Sequence, residues 1–202
     1  MIKCILFDMG GVILTAKIEQ VLERVAAAFN VPLEELMQIR KDHKTELWDG
    51  KMKVKDIVKR LKKKYSIKKS VPKLMAIWEK TYLESTYKNE AVCLIAKKLM
   101  KNYEVGLISN LWDFHAELNK KRKVFDGFNP CILSTAVGMH KPQKEIFELA
   151  IKQAKVNGEE CVFIDDRNEY FFIAQSLGMK TIEFGGAEQL LKDLKKMGVE
   201  VE

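Results

Sequence analysis

Short apolar runs alternate with longer amphipathic stretches along much of the chain. Five runs rich in β-branched or aromatic residues have the length of strands: residues 4–7, 104–109, 131–134, 161–164 and 181–184. Elsewhere apolar residues recur every three or four positions, as on one helix face: residues 91–101, 144–154 and 187–196. Strand and helix that alternate in this way predict an α/β fold, a doubly wound parallel sheet with helices on both faces.

The long interval between the first two predicted strands has a different pattern. It shows only helical periodicity, over residues 18–29, 32–47, 54–65 and 71–86. Pro32 and Pro72 lie where first helical turns would begin, a position that proline favours. An interval of about 70 residues is too long for a loop within a compact domain. We therefore predict a helical insertion, residues 16–87, within a core formed by residues 1–15 and 88–202.

The composition is that of a globular protein. At 202 residues, 47% hydrophobic and 31% charged, the chain can form one domain with a modest insertion. No apolar run approaches the roughly 18 residues of a membrane helix, and the apolar N-terminal stretch is short and interrupted by Asp8. We expect no membrane partner and a cytoplasmic location. The four cysteines lack metal-binding or redox spacing and are expected to be buried thiols.

Positive charge is concentrated in one segment. Residues 51–73 contain eleven basic residues and one acid, whereas the rest of the chain has 24 bases against 27 acids. Apolar residues interleave with these lysines at helical spacing, as on the solvated face of an amphipathic helix. The segment has Tyr65 as its single aromatic residue, which argues against nucleic acid as a partner. The sequence does not indicate an oligomeric state.

Polar side chains follow several of the predicted strands. Asp8 follows the first strand, Ser109 and Asn110 end the second, and Asp165 and Asp166 end the fourth. Since the carboxyl ends of parallel strands meet at one edge of the sheet, these groups should share a crevice. Three carboxylates so close would repel one another unless a cation lay between them. A hard ion such as Mg²⁺ suits such oxygen ligands.

These residues, with the sequence FDMGGV around Asp8 and a lysine at position 141, resemble the four motifs of the haloacid dehalogenase-like hydrolases. The resemblance covers the first turn and the C-terminal half of the chain. It implies a Rossmann-like core over residues 1–15 and 88–202. It also implies that residues 16–87 form a mobile helical cap over the active site.

The resemblance further implies roles for single residues. Asp8 would be the nucleophile, and Asp8 and Asp166 would each give an oxygen ligand to Mg²⁺. The backbone carbonyl of Gly10 would be a third ligand, and Asp165 would orient the site.

A small phosphorylated substrate would be bound by three further residues. Lys141 would neutralise charge on the phosphate and the nucleophile, Ser109 would donate its hydroxyl, and Asn110 would add its amide. The implied reaction is attack of Asp8 on a phosphomonoester, with hydrolysis of the aspartyl-phosphate that results.

One departure from the family pattern concerns Gly10. Phosphatases of this family normally have a second aspartate there, which protonates the leaving oxygen and later activates water. Losing such acid and base assistance costs typically about 10²–10⁴-fold in rate, which predicts a slow or selective enzyme but not necessarily an inactive one. The FDMGGV pattern also resembles a phosphatase-like branch of the family in which glycine occupies this position. A replacement acid is sought among His43, Glu46 and Asp49, which lie about one helical turn apart in the insertion. Tyr170 is a second departure, since asparagine is common at its position.

Two alternatives remain open from the sequence. A metal-free 2-haloacid dehalogenase also lacks the second aspartate, although it would have no need to gather three carboxylates. A non-catalytic homologue that binds a phosphorylated ligand or a partner is favoured by Gly10 and by the aromatic residues 170–172.

Overall fold

The computed structural model describes residues 1–201, whose strands form one parallel sheet. The five strands are β1 (Cys4–Phe7), β2 (Glu104–Ser109), β3 (Cys131–Leu133), β4 (Cys161–Asp165) and β5 (Lys180–Glu183). Their order across the sheet is β3-β2-β1-β4-β5. The central strand β1 pairs with β2 and β4, Cys4 lying opposite both Glu104 and Cys161. Strands β2 and β3 therefore lie on one side of β1, and β4 and β5 lie on the other. A parallel sheet binds its ligands at the point where the strand order reverses in this way.

Eleven α-helices lie in the described residues. Between β1 and β2 these are α1 (Ile18–Phe29), α2 (Leu33–Asp42), α3 (Lys44–Trp48), α4 (Val54–Lys64), α5 (Val71–Ser85) and α6 (Glu90–Leu99). The later ones are α7 (Asp113–Lys121), α8 (Ser134–Val137), α9 (Lys144–Ala154), α10 (Phe171–Ser176) and α11 (Ala187–Lys196).

Successive residues of β1 face opposite sides of the sheet. Ile5 and Phe7 belong to a buried cluster with side chains of α6 and α11. Cys4 and Leu6 belong to a second cluster, with side chains of α9 and α10. All four residues are completely buried, as expected for a central strand covered on both faces. The prediction of a doubly wound α/β sheet is confirmed.

Helices α1 to α5 have a hydrophobic core of their own. It is built around Trp78 of α5, which is fully buried, and it extends to Trp112 and Leu118 at α7. The chain enters and leaves this helical unit at adjacent points. There the amide of Thr15 donates to the carbonyl of Tyr87 at 2.9 Å, and that of Asn89 to Ile13 at 2.8 Å.

The helix predicted over residues 32–47 is divided in the structure. Helix α2 ends and α3 begins at His43, whose backbone is not helical (φ −119°, ψ 28°). The sequence from 40 to 46 is polar throughout and has no apolar periodicity to continue one helix through it. No helix of the described residues is long and apolar enough to cross a membrane. The four cysteines are free thiols, Cys4 and Cys161 buried and Cys93 and Cys131 half-buried.

Candidate active site

Asp8 lies directly beyond the carboxyl end of β1. Its amide donates to the carbonyl of Ile164 in β4 at 2.7 Å, which fixes the backbone between the two strands. The turn that follows needs glycine at position 11, where φ is +82°. A Cβ on Gly11 would also lie 2.6 Å from an oxygen of Asp166. The turn thus brings the backbone close to one acidic side chain while presenting another.

Lys141 connects the first and fourth strands through its ammonium group. Its Nζ lies 2.6 Å from Oδ1 of Asp8 and 2.6 Å from Oδ2 of Asp165, and the lysine is 1% exposed. Burial alone would lower the pKa of Lys141, but the charges of Asp165 and Asp8 outweigh this effect and raise it. Lys141 is therefore a fixed cation beside Asp8.

Asp165 is fully buried beneath the crevice. Burial raises the pKa of its carboxyl group, Lys141 opposes that rise, and the neighbouring charge of Asp8 adds to it. Its second oxygen accepts a hydrogen bond from the amide of Arg167 at 2.9 Å. With one oxygen held by Lys141 and the other by backbone, Asp165 is suited to position Lys141.

Asp166 is the third acidic residue of the cluster. One ligand oxygen from each of Asp8, Asp165 and Asp166 can be chosen so that all three lie within 4.8 Å of one another. Lys17, which precedes α1, places its Nζ 2.6 Å from Oδ2 of Asp166, and this contact raises the pKa of Lys17. The grouped oxygens fit a hard divalent cation, for which Asp8 and Asp166 are candidate ligands.

Ser109 and Asn110 lie at the carboxyl end of β2, near Lys141. The side chain of Asn110 exchanges two hydrogen bonds with the backbone of Lys141: Nδ2 donates to the carbonyl at 2.8 Å, and Oδ1 accepts from the amide at 2.8 Å. Ser109 is 2% exposed. Asn110 thus holds the lysine turn against β2, a positioning contact that the sequence did not reveal.

A cavity of about 340 Å³ lies above these groups. It is lined by the sequence-predicted residues Asp8, Gly10, Ser109, Asn110, Lys141 and Asp166. Asp165 lies behind Lys141 and is not part of the lining. The structure thus brings the predicted residues into one place, six of them around a common space.

The sequence did not single out several other residues that line the cavity. Four are charged: Lys17, Glu19, Arg40 and Arg167. Three are aromatic: Trp48, Tyr82 and Trp112. Lys17 and Arg167 are close in sequence to Asp8 and Asp166, which was the available signal. The others come from α1, α2, α3, α5 and the loop before α7, and no spacing in the sequence links them.

The suggested replacement acids lie away from the cavity. Oδ1 of Asp49 is 2.8 Å from Nδ1 of His140, whose ring lies against Trp48 at 5.2 Å. Burial alone would raise the pKa of Asp49, but hydrogen bonds from His140 and Lys51 lower it. His43 lies beside Arg60 and Glu46. None of His43, Glu46 and Asp49 is among the residues that line the cavity.

Comparison with known proteins places this geometry in context. The model of the family described as haloacid dehalogenase-like hydrolase matches residues 2–169. A D-ribitol-5-phosphate phosphatase from Bacteroides thetaiotaomicron is 27% identical over 195 residues, which cover 91% of this chain and 92% of that protein.

Solved structures have the same fold. A haloacid dehalogenase family enzyme from Bacteroides thetaiotaomicron in a magnesium complex superposes with a TM-score of 0.71 at 26% identity, over 90% of this chain and 92% of that one. A predicted hydrolase of this kind from Porphyromonas gingivalis has a TM-score of 0.75 at 22% identity, over 99% of both chains.

Proposed function

The chain belongs to the haloacid dehalogenase-like hydrolases, and from that premise we propose that it is a Mg²⁺-dependent phosphatase of a small phosphorylated metabolite. One observation carries the proposal: a carboxylate at the end of the central strand, 2.6 Å from a buried ammonium group, opens on a cavity of about 340 Å³. The relative named as a D-ribitol-5-phosphate phosphatase supports a phosphomonoester substrate.

Asp8 acts as the nucleophile in this proposal. Lys141 holds its Oδ1, so Oδ2 is the oxygen that attacks phosphorus, and the alcohol leaves on the opposite side. Lys141 keeps its proton and neutralises charge on the phosphoryl oxygens as they pass to Asp8. Ser109 donates its hydroxyl to the same oxygens. Water then attacks the aspartyl-phosphate, which releases phosphate and restores Asp8.

The acidic cluster supports a role for Mg²⁺. Lys141 supplies one positive charge to the carboxylates of Asp8 and Asp165, and the ammonium of Lys17 at Asp166 is largely exposed. Asp8, Asp166 and the carbonyl of Gly10 would hold the ion. When bound, Mg²⁺ withdraws charge from the phosphoryl oxygens. A structurally similar family member was solved as a magnesium complex, which supports a role for this ion.

We assign residues 16–87 as the cap and residues 1–15 and 88–202 as the core. Lys17, Glu19, Arg40, Trp48 and Tyr82 all come from the helical unit and line the cavity from above. They would contact the part of the substrate beyond its phosphate. Substrate choice then depends on the cap, and phosphoryl transfer depends on the core.

The release of inorganic phosphate from small phosphomonoesters tests this function. It is measured with and without Mg²⁺, in the wild type and in Asp8→Asn. We expect release that needs the metal and falls at least about a thousandfold in Asp8→Asn, because the nucleophile is lost. Asp126→Asn changes an exposed aspartate outside the cavity and is the matched control, which should retain full activity.

Two other results would contradict the proposal. Halide release from a 2-haloacid in the presence of EDTA would indicate a dehalogenase. Stabilisation by phosphorylated ligands without any product would indicate a binding protein.

A further inference from the structure

The side walls of the cavity are aromatic and rigidly held. Tyr82 stacks on His115 with ring centroids 4.2 Å apart, and Trp112 stacks on the same imidazole at 5.5 Å. Nε1 of Trp78 donates to Nε2 of His115 at 3.0 Å, which fixes the ring behind them. Trp48 and Tyr170 complete the aromatic lining. Tyr82 and Trp112 are each 3% exposed, and the part of each ring that lines the cavity can contact a flat apolar group.

Aliphatic side chains occupy much of the remaining lining: Met9, Leu14, Ala16, Ile18, Val21 and Leu111. Several polar groups beside them already have partners within the protein. The hydroxyl of Thr86 donates to the carbonyl of Tyr82 at 2.8 Å, and Arg40 lies 2.8 Å from Glu19. A polyol chain would place many hydroxyl groups against this apolar surface, at the cost of their hydrogen bonds to water.

The described lining of the cavity also lacks an unpaired carboxyl group or an imidazole to protonate a leaving group, apart from the nucleophile Asp8. Besides Asp8, its described lining contains the carboxylates of Asp166 and Glu19, which are paired with Lys17 and Arg40, and it contains no histidine. The ammonium group of Lys17 is held by Asp166 at 2.6 Å. At Gly10, a glycine stands where a carboxylate would be needed. We therefore infer that the leaving oxygen departs without a proton from a carboxyl or imidazole group.

Departure without a proton favours an acidic alcohol. A phenol hydroxyl has a pKa of about 10, as in tyrosine. The pKa of an aliphatic alcohol is close to that of water and far above that of a phenol. The aryloxide is therefore much the better leaving group, and its ring matches the aromatic wall.

We propose that the substrate is a phosphate monoester of an aromatic hydroxyl compound. This inference rests on the proposed phosphatase function and adds its substrate class. The bond from phosphorus to the aryl oxygen breaks with both electrons on that oxygen, as an oxygen of Asp8 bonds to phosphorus. The aryloxide takes its proton from solvent. Water then cleaves the acyl phosphate and loses its proton to solvent, so that one water gives the phenol and hydrogen phosphate.

Three esters separate the two parts of the argument in the Mg²⁺-loaded wild-type enzyme. Phenyl phosphate and 2-phenylethyl phosphate both carry a benzene ring but differ in the acidity of the leaving alcohol. 2-Phenylethyl phosphate and ribitol 5-phosphate both release an aliphatic alcohol but differ in polarity. We expect kcat/KM to fall at least about a hundredfold from the first ester to the second. We expect a further fall of about tenfold from the second to the third.

Two variants test the structural causes separately. Gly10→Asp should reduce the ratio of phenyl to 2-phenylethyl phosphate by about tenfold or more, since it supplies a proton donor. Trp112→Leu should raise KM for phenyl phosphate about three- to tenfold and leave inhibition by inorganic phosphate unchanged. Phe172→Leu is the matched control, because this aromatic residue is 78% exposed and outside the cavity lining.

The comparison of esters has outcomes that overturn this inference alone. Hydrolysis of ribitol 5-phosphate as fast as that of 2-phenylethyl phosphate would contradict the aromatic wall as a selector. Equal rates for phenyl and 2-phenylethyl phosphate would contradict departure without a proton. Failure to hydrolyse phenyl phosphate while another phosphomonoester is hydrolysed would overturn this inference alone, whereas failure to hydrolyse any phosphomonoester would overturn the phosphatase function with it.

Discussion

Lys141 Nζ lies 2.6 Å from Asp8 Oδ1, and this contact joins the turn after α8 to the end of β1. The same ammonium group holds Asp165, so one buried cation compensates two carboxylates from different strands. Its removal would leave both acids close together in a dry environment. Such an uncompensated buried charge is far more costly than the original pair is stabilising.

Lys141→Met should therefore lose both activity and stability. We expect phosphate release to fall at least about a hundredfold and the free energy of unfolding to fall by about 3–5 kcal/mol. Denaturant unfolding at pH 7 and steady-state kinetics measure the two effects. Lys144→Met, which changes an exposed lysine paired with Glu148, is the control and should be close to wild type. An active, fully stable Lys141→Met would refute the role of this cation.

The neighbouring glycines of the first turn should respond differently to alanine. Gly11 has φ +82°, and its new Cβ would lie 2.6 Å from Asp166, whereas a Cβ on Gly10 would be 4.0 Å from its nearest neighbour, the carbonyl oxygen of Ala16. Gly11→Ala should lose about 1–3 kcal/mol of stability through backbone strain. By displacing Asp166 it should also weaken Mg²⁺ binding. Gly10→Ala is the matched control, and calorimetric titration with Mg²⁺ should distinguish the two variants.

His115 should make stability depend on pH. Burial lowers the pKa of this histidine to about 3, from an ordinary value of 6.5. As pH falls below 6.5, His115 binds a proton in the unfolded chain but stays neutral in the native protein. The free energy of unfolding therefore declines progressively until about pH 3. At pH 4.5 the two-unit difference corresponds to about 2.7 kcal/mol.

His115→Gln should remove most of this pH dependence. Its amide oxygen can still accept from Trp78, while the titrating group is gone. The loss of unfolding free energy between pH 7 and 4.5 should then shrink by about 2–3 kcal/mol. His43→Gln, at a partly exposed histidine, is the comparison variant. The same decline in His115→Gln as in wild type would exclude His115 as its cause.

Lys17 should compete with a metal ion for Asp166. Its ammonium group is 2.6 Å from Oδ2, but the side chain is 59% exposed, so the ion pair is weak. Lys17→Met should therefore tighten Mg²⁺ binding modestly, up to about fivefold. Isothermal titration without substrate measures this directly, with Lys3→Met, at an exposed lysine paired with Glu160, as the control. Weaker binding in Lys17→Met would contradict competition at Asp166.

The sequence predicted the core well because its signals are local. Strand β1 is a wholly apolar run that stops at Asp8, and the apolar part of β2 stops at Ser109. In both strands the end of the apolar run therefore marks the end of the strand. The edge at which Asp8, Ser109 and Asp166 converge followed from parallel topology alone. The break at His43 was not predicted, because a polar segment has no apolar periodicity that indicates either a continuing helix or its end.

The cavity wall could not be predicted in the same way. Trp48, Tyr82 and Trp112 are each about 30 residues apart in sequence, and each is typical of an ordinary buried aromatic residue. Their convergence on one cavity depends on how α3, α5 and the loop before α7 are arranged in space, which is a tertiary arrangement. The reciprocal bonds between Asn110 and Lys141 likewise depend on the approach of two distant turns.

The backbone hydrogen bonds between Thr15 and Tyr87 and between Asn89 and Ile13 join the two ends of the helical unit, so that the unit can be exchanged as a whole. Because the chain enters and leaves the unit at adjacent points, the length of the unit does not affect the register of the strands. Recombination at these two connections could replace the whole helical unit in a single event and leave the residues at the edge of the sheet unchanged. Under the proposed division into cap and core, selectivity can diversify independently of chemistry.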